Sequence, residues 1–159
     1  VATNAEAIAG TAGVLPDAAG VHSSIRGLAV GTVSQSGGVP TGSIIQRGSN
    51  ANGYYVRYAD GTQICIIAFG LKSTNTDSFV NGSLTYFRIR DQWTFPMQFI
   101  TTTNLTVLSG VDQNSDNVFV STKTRGLTVS GVNIDSLSTD SFSSFSRTVT
   151  FAVAIGRWF

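Results

Sequence analysis

At 159 residues the chain suits one compact domain with a tail, or two small pieces. Only 12% of residues are charged and the net charge is +1, with eight arginines and two lysines scattered without a stripe, which argues against a track for nucleic-acid phosphates. The longest apolar run falls far short of the ~18 residues of a membrane span, no basic-then-apolar leader opens the chain, and about a quarter of the residues are Ser or Thr, a balance that favours β-structure with hydroxyl-bearing faces.

The opening thirty residues are rich in Ala and Gly and lack a sustained period. They read as a connector, in which "TNAEAIAG" forms one or two helical turns capped by Thr3 or Asn4 and stopped at Gly10. The Gly, Ser and Pro cluster of Gly31 to Ser43 predicts a loop or extended link. Residues 1–42 are therefore expected to form a connector or attachment segment, extended or briefly helical, and residues 43–159 a knob. Because the chain starts at Val1 and its sole methionine is Met97, it is expected to be a processed product or an excerpt of a longer protein.

From Ser43 the punctuation becomes regular. Asp60-Gly61 predicts a two-residue hairpin turn with both central positions at positive φ, joining a strand from Tyr54 to Ala59 to one from Thr62 to Ala68. In that register Ala59 faces Thr62, so Tyr55, Arg57, Ile64 and Ile66 share one face, and Tyr54, Val56, Tyr58, Cys65 and Ile67 the other. Neither face is polar. Such a hairpin is either covered on both sides within a sandwich or buried against another copy of the chain.

Short alternating segments then recur in "LTYFRIRDQWTFPMQF", "NLTVLSG", "NVFVSTK", "GLTVSGV" and "SFSRTVTFAVAIGRWF", with Gly, Asn, Asp and Ser between them. The pattern is that of an all-β chain, an antiparallel β-sandwich. In the last segment Phe145, Arg147, Val149, Phe151, Val153 and Ile155 share one parity, expected to face the core. Thr148, Thr150, Ala152 and Ala154 share the other, small enough to admit a neighbouring element.

The inventory of reactive groups is thin. His22 is the only histidine and Glu6 the only glutamate, both in the connector, so neither a Ser/His/Asp triad nor a paired-carboxylate glycosidase is well supplied, and no enzymatic activity is expected. Cys65 is the only cysteine, which excludes an intrachain disulfide and a CxxC metal site and predicts a small buried side chain. Asp112, Asn114 and Asp116 match the opening of a calcium loop, but Asn117 stands where its turn glycine belongs and Lys123 where its bidentate glutamate belongs. A solvated turn is the better reading, and no metal or cofactor is expected.

The stretch "VSQSGGVPTGSIIQRGSNANGYYVRYADGTQIC", followed by "WTFPMQF" and "FAVAIGRWF", resembles the distal knobs of bacteriophage tail fibres and of related prophage or gene-transfer-agent fibres. The opening "ATNAEAIAGTAGVLPDAAG" resembles segments that join fibre shafts to such knobs. More loosely, Tyr86 to Phe159 resembles the H-type lectin sandwich, a trimerising module, although it contains no histidine and offers no match to a lectin's sugar-contacting set.

These resemblances imply a homotrimeric virion fibre or spike tip. It would be extracellular after release, joined through its N-terminal segment to other virion proteins, and would bind bacterial surface polysaccharide, with no nucleic-acid partner and no membrane insertion. The alternative is a purely structural virion part without receptor binding. Aromatic, amide and charged side chains in polar loops suit sugar faces and hydroxyls, which singles out Trp93, Asp112, Asn114, Asp116, Asn117, Lys123 and Arg125. Tyr54, Tyr55, Tyr58, Ile64 and Ile66 are the expected contacts between subunits.

Overall fold

The computed structural model describes residues 18–70, 77–113, 120–139 and 148–159. Among them lie a helix, α1 (Ala18–Ala29), and the strands β1 (Gln35–Ser36), β2 (Val39–Pro40), β3 (Ile45–Asn50), β4 (Gly53–Tyr58), β5 (Thr62–Ala68), β6 (Asp77–Asn81), β7 (Leu84–Thr94), β8 (Thr106–Gln113), β9 (Val120–Arg125), β10 (Gly131–Ser138) and β11 (Thr148–Arg157). The described chain divides into two compact units. One takes in the residues up to Arg47 with Val56–Gly61 and Phe159, and the other Gly48–Tyr55 with Thr62–Trp158.

In the first unit, where the sequence suggests an extended or briefly helical segment, the described residues include a helix. Although Gly20 and Gly27 each cost a helix interior about 1 kcal/mol, α1 runs for 12 residues, with Arg26 in its last turn where a cation complements the helix dipole. The helical stretch expected at "TNAEAIAG" lies outside the described residues. Beyond α1, Ser43 ties the unit together: its hydroxyl donates to the Gly27 carbonyl (2.7 Å) and its N–H to the Thr32 carbonyl (2.9 Å). The link expected from Gly31 to Ser43 contains a small ribbon, β1 against β2, with Gln35 opposite Pro40. Its turn needs positive φ at both central residues, and Gly37 and Gly38 supply 58° and 83°.

The second unit holds most of an antiparallel β-sandwich, as the alternation predicts. One sheet has the order β6-β7-β10-β9; the other has the order β3-β4-β5-β11-β8. Between them lie Trp93, Val132 and Ile134 from one sheet, Cys65, Ala152 and Ala154 from the other, and Phe95, Phe99 and Leu105 from the connection between β7 and β8, with Tyr55, Ile67 and Val107 packed at the margin. Trp93 meets Phe95 edge-on at 4.9 Å, and Phe95 meets Phe99 the same way at 5.1 Å. Buried polar groups are bonded across the layer: the Ser136 and Thr150 hydroxyls are 3.1 Å apart, and the Thr122 hydroxyl donates to the Ser109 carbonyl at 2.9 Å.

Two sequence expectations are overturned here, each by one residue of parity. In β11 the small residues face the core, with Ala152 and Ala154 both 0% exposed, while Phe151 and Ile155 point outward at 47% and 40%. The cause is volume. Trp93 of the opposite sheet, with Phe95 and Phe99 of the segment that follows it, fills the layer, so β11 must present methyl groups to reach native packing density.

The second reversal starts in the hairpin turn. Gly61 donates its N–H to the Tyr58 carbonyl at 3.0 Å, and only Gly61 of the pair Asp60-Gly61 has positive φ (92°). The loop therefore holds Ala59, Asp60 and Gly61, the three-residue form with glycine in the left-handed position, instead of the expected two residues. One extra loop residue exchanges the faces of a strand. Tyr55 accordingly packs toward the core with Cys65 and Ile67, while Tyr54 and Ile66 face outward.

Candidate functional site

A sandwich has two outer faces, and here they differ in kind. On the five-stranded sheet, register puts Ile64 beside Ile155, Val153 between Ile66 and Leu108, and Phe151 beside Gly110. These positions share the outward parity, since their neighbours Cys65, Ala152 and Ala154 are buried. Exposure reaches 44% at Ile66, 62% at Leu108 and 68% at Tyr54. Gly110 has a local reason: a Cβ there would come within 2.4 Å of the Phe151 ring, so only glycine lets that ring lie down on the sheet. A continuous strip of this kind exceeds the scattered apolar residues of an ordinary surface.

The first unit bears an exposed apolar stripe of its own. Val21, Ile25 and Leu28 follow one another along α1 at spacings of four and three, each more than two-fifths exposed, the spacing of a coiled-coil seam.

The outer face of the four-stranded sheet is polar and cationic. Register aligns it in rows: Gln92, Asn133 and Arg125; then Arg90, Asp135 and Lys123; then Arg88 and Leu137 with Ser121. Adjacent strands lie about 4.8 Å apart and successive rows about 7 Å apart. Asp135 sits beneath its neighbours at 3% exposure; its Oδ2 accepts from Arg125 Nε at 2.8 Å and lies 3.8 Å from Arg88 Nη1. Its Oδ1 is buried with no hydrogen-bond partner. Leaving an acceptor so costs about 1–3 kcal/mol.

At one end of this face Phe79 and Tyr86 stack at 5.3 Å with their planes 15° apart, and the Arg88 guanidinium lies 5.4 Å from the Phe79 ring. At the other end a cleft of about 240 Å³ opens between Gln92 and Asn133, with Gly126, Thr128 and Ser130 on its wall.

The structure separates the residues singled out from the sequence. Trp93, expected to contact ligand, is 1% exposed and donates its indole N–H to the Asn52 carbonyl at 2.9 Å, so it has no ring face for a sugar. Its alternation with Phe95 was the sign of a core position. Lys123 and Arg125 both lie on the cationic face, while Asp112 belongs to β8 of the other sheet, opposite Val149. Asn114, Asp116 and Asn117 lie outside the described residues.

Of the expected contacts between subunits, Tyr54, Ile64 and Ile66 share the outward apolar face and Tyr55 turns inward. Tyr58 is half-buried in the first unit. Sequence reasoning missed Leu108, Phe151 and Ile155 on the apolar face and Arg88 and Arg90 on the cationic one. The alternation in "YFRIRDQ" was the available signal for the arginines.

Among the described residues no group of three or more His, Cys, Asp or Glu is placed to hold a metal ion, and no helix is long and apolar enough to cross a membrane.

No family model and no curated protein matches the chain. Among solved structures it is similar to the P. aeruginosa R1 pyocin fibre comprising C-terminal residues 323–701, at 18% identity and a TM-score of 0.41, over 92% of this chain and 35% of that one. It is also similar to an N-truncated R1-type pyocin tail fibre, at 17% identity and a TM-score of 0.39, over 89% of this chain and 98% of that one. The chain thus spans about a third of the length of the first. The all-β assignment rests on the strand order and the shared core, not on these likenesses.

Proposed function

We propose that this chain belongs to a trimeric virion fibre or spike tip that binds host surface glycan during adsorption, without catalysing a reaction. The observation that carries the assembly is the outward apolar strip of the five-stranded sheet, where Tyr54, Ile66, Leu108, Phe151 and Ile155 are 40–68% exposed in one chain. A closed ring of copies removes such a strip from water, which an open chain of copies does not do at its ends. The heptad-like stripe of α1 supports association in the first unit as well. The glycan reading is supported by the fibre-like motifs of the sequence and by a second outer face that is polar and lined with amides, guanidinium groups and stacked rings.

Multi-angle light scattering on the purified chain tests the assembly: a mass three times 16.7 kDa is expected, and a stable, dispersed monomer overturns it. Competition between the purified protein and intact virions for host cells tests the second half. A well-formed trimer that never competes favours the purely structural role.

A further inference from the structure

We propose that the outer face of the β6-β7-β10-β9 sheet binds acidic saccharides, with Arg90, Lys123 and Arg125 holding the carboxylate or phosphate of the sugar. The inference deepens the glycan-binding reading and rests on it.

Three independent features converge on one face. The first is charge. The outward register positions of β7, β9 and β10 carry Arg88, Arg90, Lys123 and Arg125 against Asp135, a concentration of cations in a chain whose net charge is only +1. Arg90 and Lys123 flank Asp135 across three adjacent strands, about 10 Å apart. An anion above Asp135 is thus approached by cations from both sides, at a distance side chains of this length can close.

The second feature is the buried carboxylate itself. Asp135 takes the Nε proton of Arg125, which fixes the guanidinium plane and uses one of its five donors. The Arg125 side chain stays 44% exposed, so the fork is anchored from below and open from above.

The third feature is what flanks the cations. Phe79, 37% exposed, stacked on Tyr86 and beside Arg88, places an aromatic pair at the end of the cationic rows, a surface of the kind on which the apolar side of a sugar packs. On the opposite side of the cationic rows, the cleft beside Gln92 and Asn133 supplies amides and the Ser130 hydroxyl, groups that bond sugar hydroxyls. Tyr86 and Gln92 stand six residues apart on one strand, about 20 Å, room for a short oligosaccharide and not only a single ring. A nucleic acid is the less suitable anion: the chain has only ten Lys and Arg, and the few on this face form no extended stripe to follow a run of phosphates.

Calorimetry on the full chain decides the matter, with four probes of similar length: oligogalacturonate, a phosphorylated oligomannan, neutral dextran and oligodeoxythymidylate. At least one acidic saccharide is expected to bind about tenfold or more tightly than dextran, and to weaken about tenfold as NaCl rises from about 50 to about 500 mM. Which of the two binds distinguishes a carboxylate ligand from a phosphate one. The R90Q/K123Q variant is expected to lose about tenfold toward that probe at unchanged assembled mass and thermal midpoint, and K123Q alone about threefold.

Equal affinity for dextran and the acidic probes overturns the acidic preference while leaving glycan binding intact. Tighter binding of oligodeoxythymidylate than of either acidic saccharide, or an R90Q/K123Q variant that binds as wild type does, overturns the assignment of this face. Failure of every saccharide to bind removes the glycan reading along with it.

Discussion

The outer faces of the two sheets come from the same rule of alternation, yet one exposes Ile66, Leu108 and Phe151 and the other Arg90, Lys123 and Arg125. The difference teaches where each face spends its chain. An apolar face gains free energy only by leaving water, so its proper state is one against a partner. A cationic face with an embedded carboxylate keeps its arginines oriented while wet, which suits a ligand that comes and goes.

The widest separation between the faces is expected in assembly. Placing aspartate at both Ile66 and Leu108 should convert the proposed trimer to a folded monomer, seen as a threefold fall in scattering mass with unchanged far-ultraviolet dichroism. A variant that stays trimeric would mean the strip is not the contact between copies.

Next in size is the carboxylate of the cationic face. Asp135→Ala leaves Arg88 and Arg125 facing each other without their shared partner, and should cost about 2–4 kcal/mol in urea unfolding, below a fully buried pair because Arg125 is partly solvated. A cost under about 0.5 kcal/mol would show that the pair does not organise this sheet.

Phe151→Ala should be smaller when measured on the Ile66 and Leu108 aspartate background, about 1–2 kcal/mol, since the ring is already half in water there. Full burial would give about 3–5 kcal/mol, and that value would return Phe151 to the core. Smallest of all, Arg90→Gln with Lys123→Gln should leave stability within about 0.5 kcal/mol. A larger loss would make the cationic rows structural instead of receptive.

Much of this architecture was legible in the residues. The alternation of "YFRIRDQWTF" and "TVTFAVAIGR" gave strands, and the glycine-rich punctuation gave their separation. What escaped was which side of each strand faces in. For β4 and β5 the answer turned on whether Asp60-Gly61 closes a two-residue or a three-residue loop, and the dipeptide suits both. For β11 it turned on volumes contributed by Trp93, Phe95 and Phe99, more than fifty residues earlier, which no local period reports. The cationic face escaped for the same reason: Arg90 and Lys123 become neighbours only because β10 pairs with both of their strands. Trp93 was drawn to the ligand list by its residue type, while its parity with Phe95 already placed it inside.

The single cysteine gives the molecule a clock. Cys65 is 0% exposed on the core side of β5, so an alkylating reagent reaches it only after the sandwich has opened. With reagent in excess and closing slower than reaction, the labelling rate is the opening rate, and with less reagent it becomes the fraction open. Comparing that rate at low and high protein concentration would then show whether copies part before they open or open before they part, with no residue changed to report it.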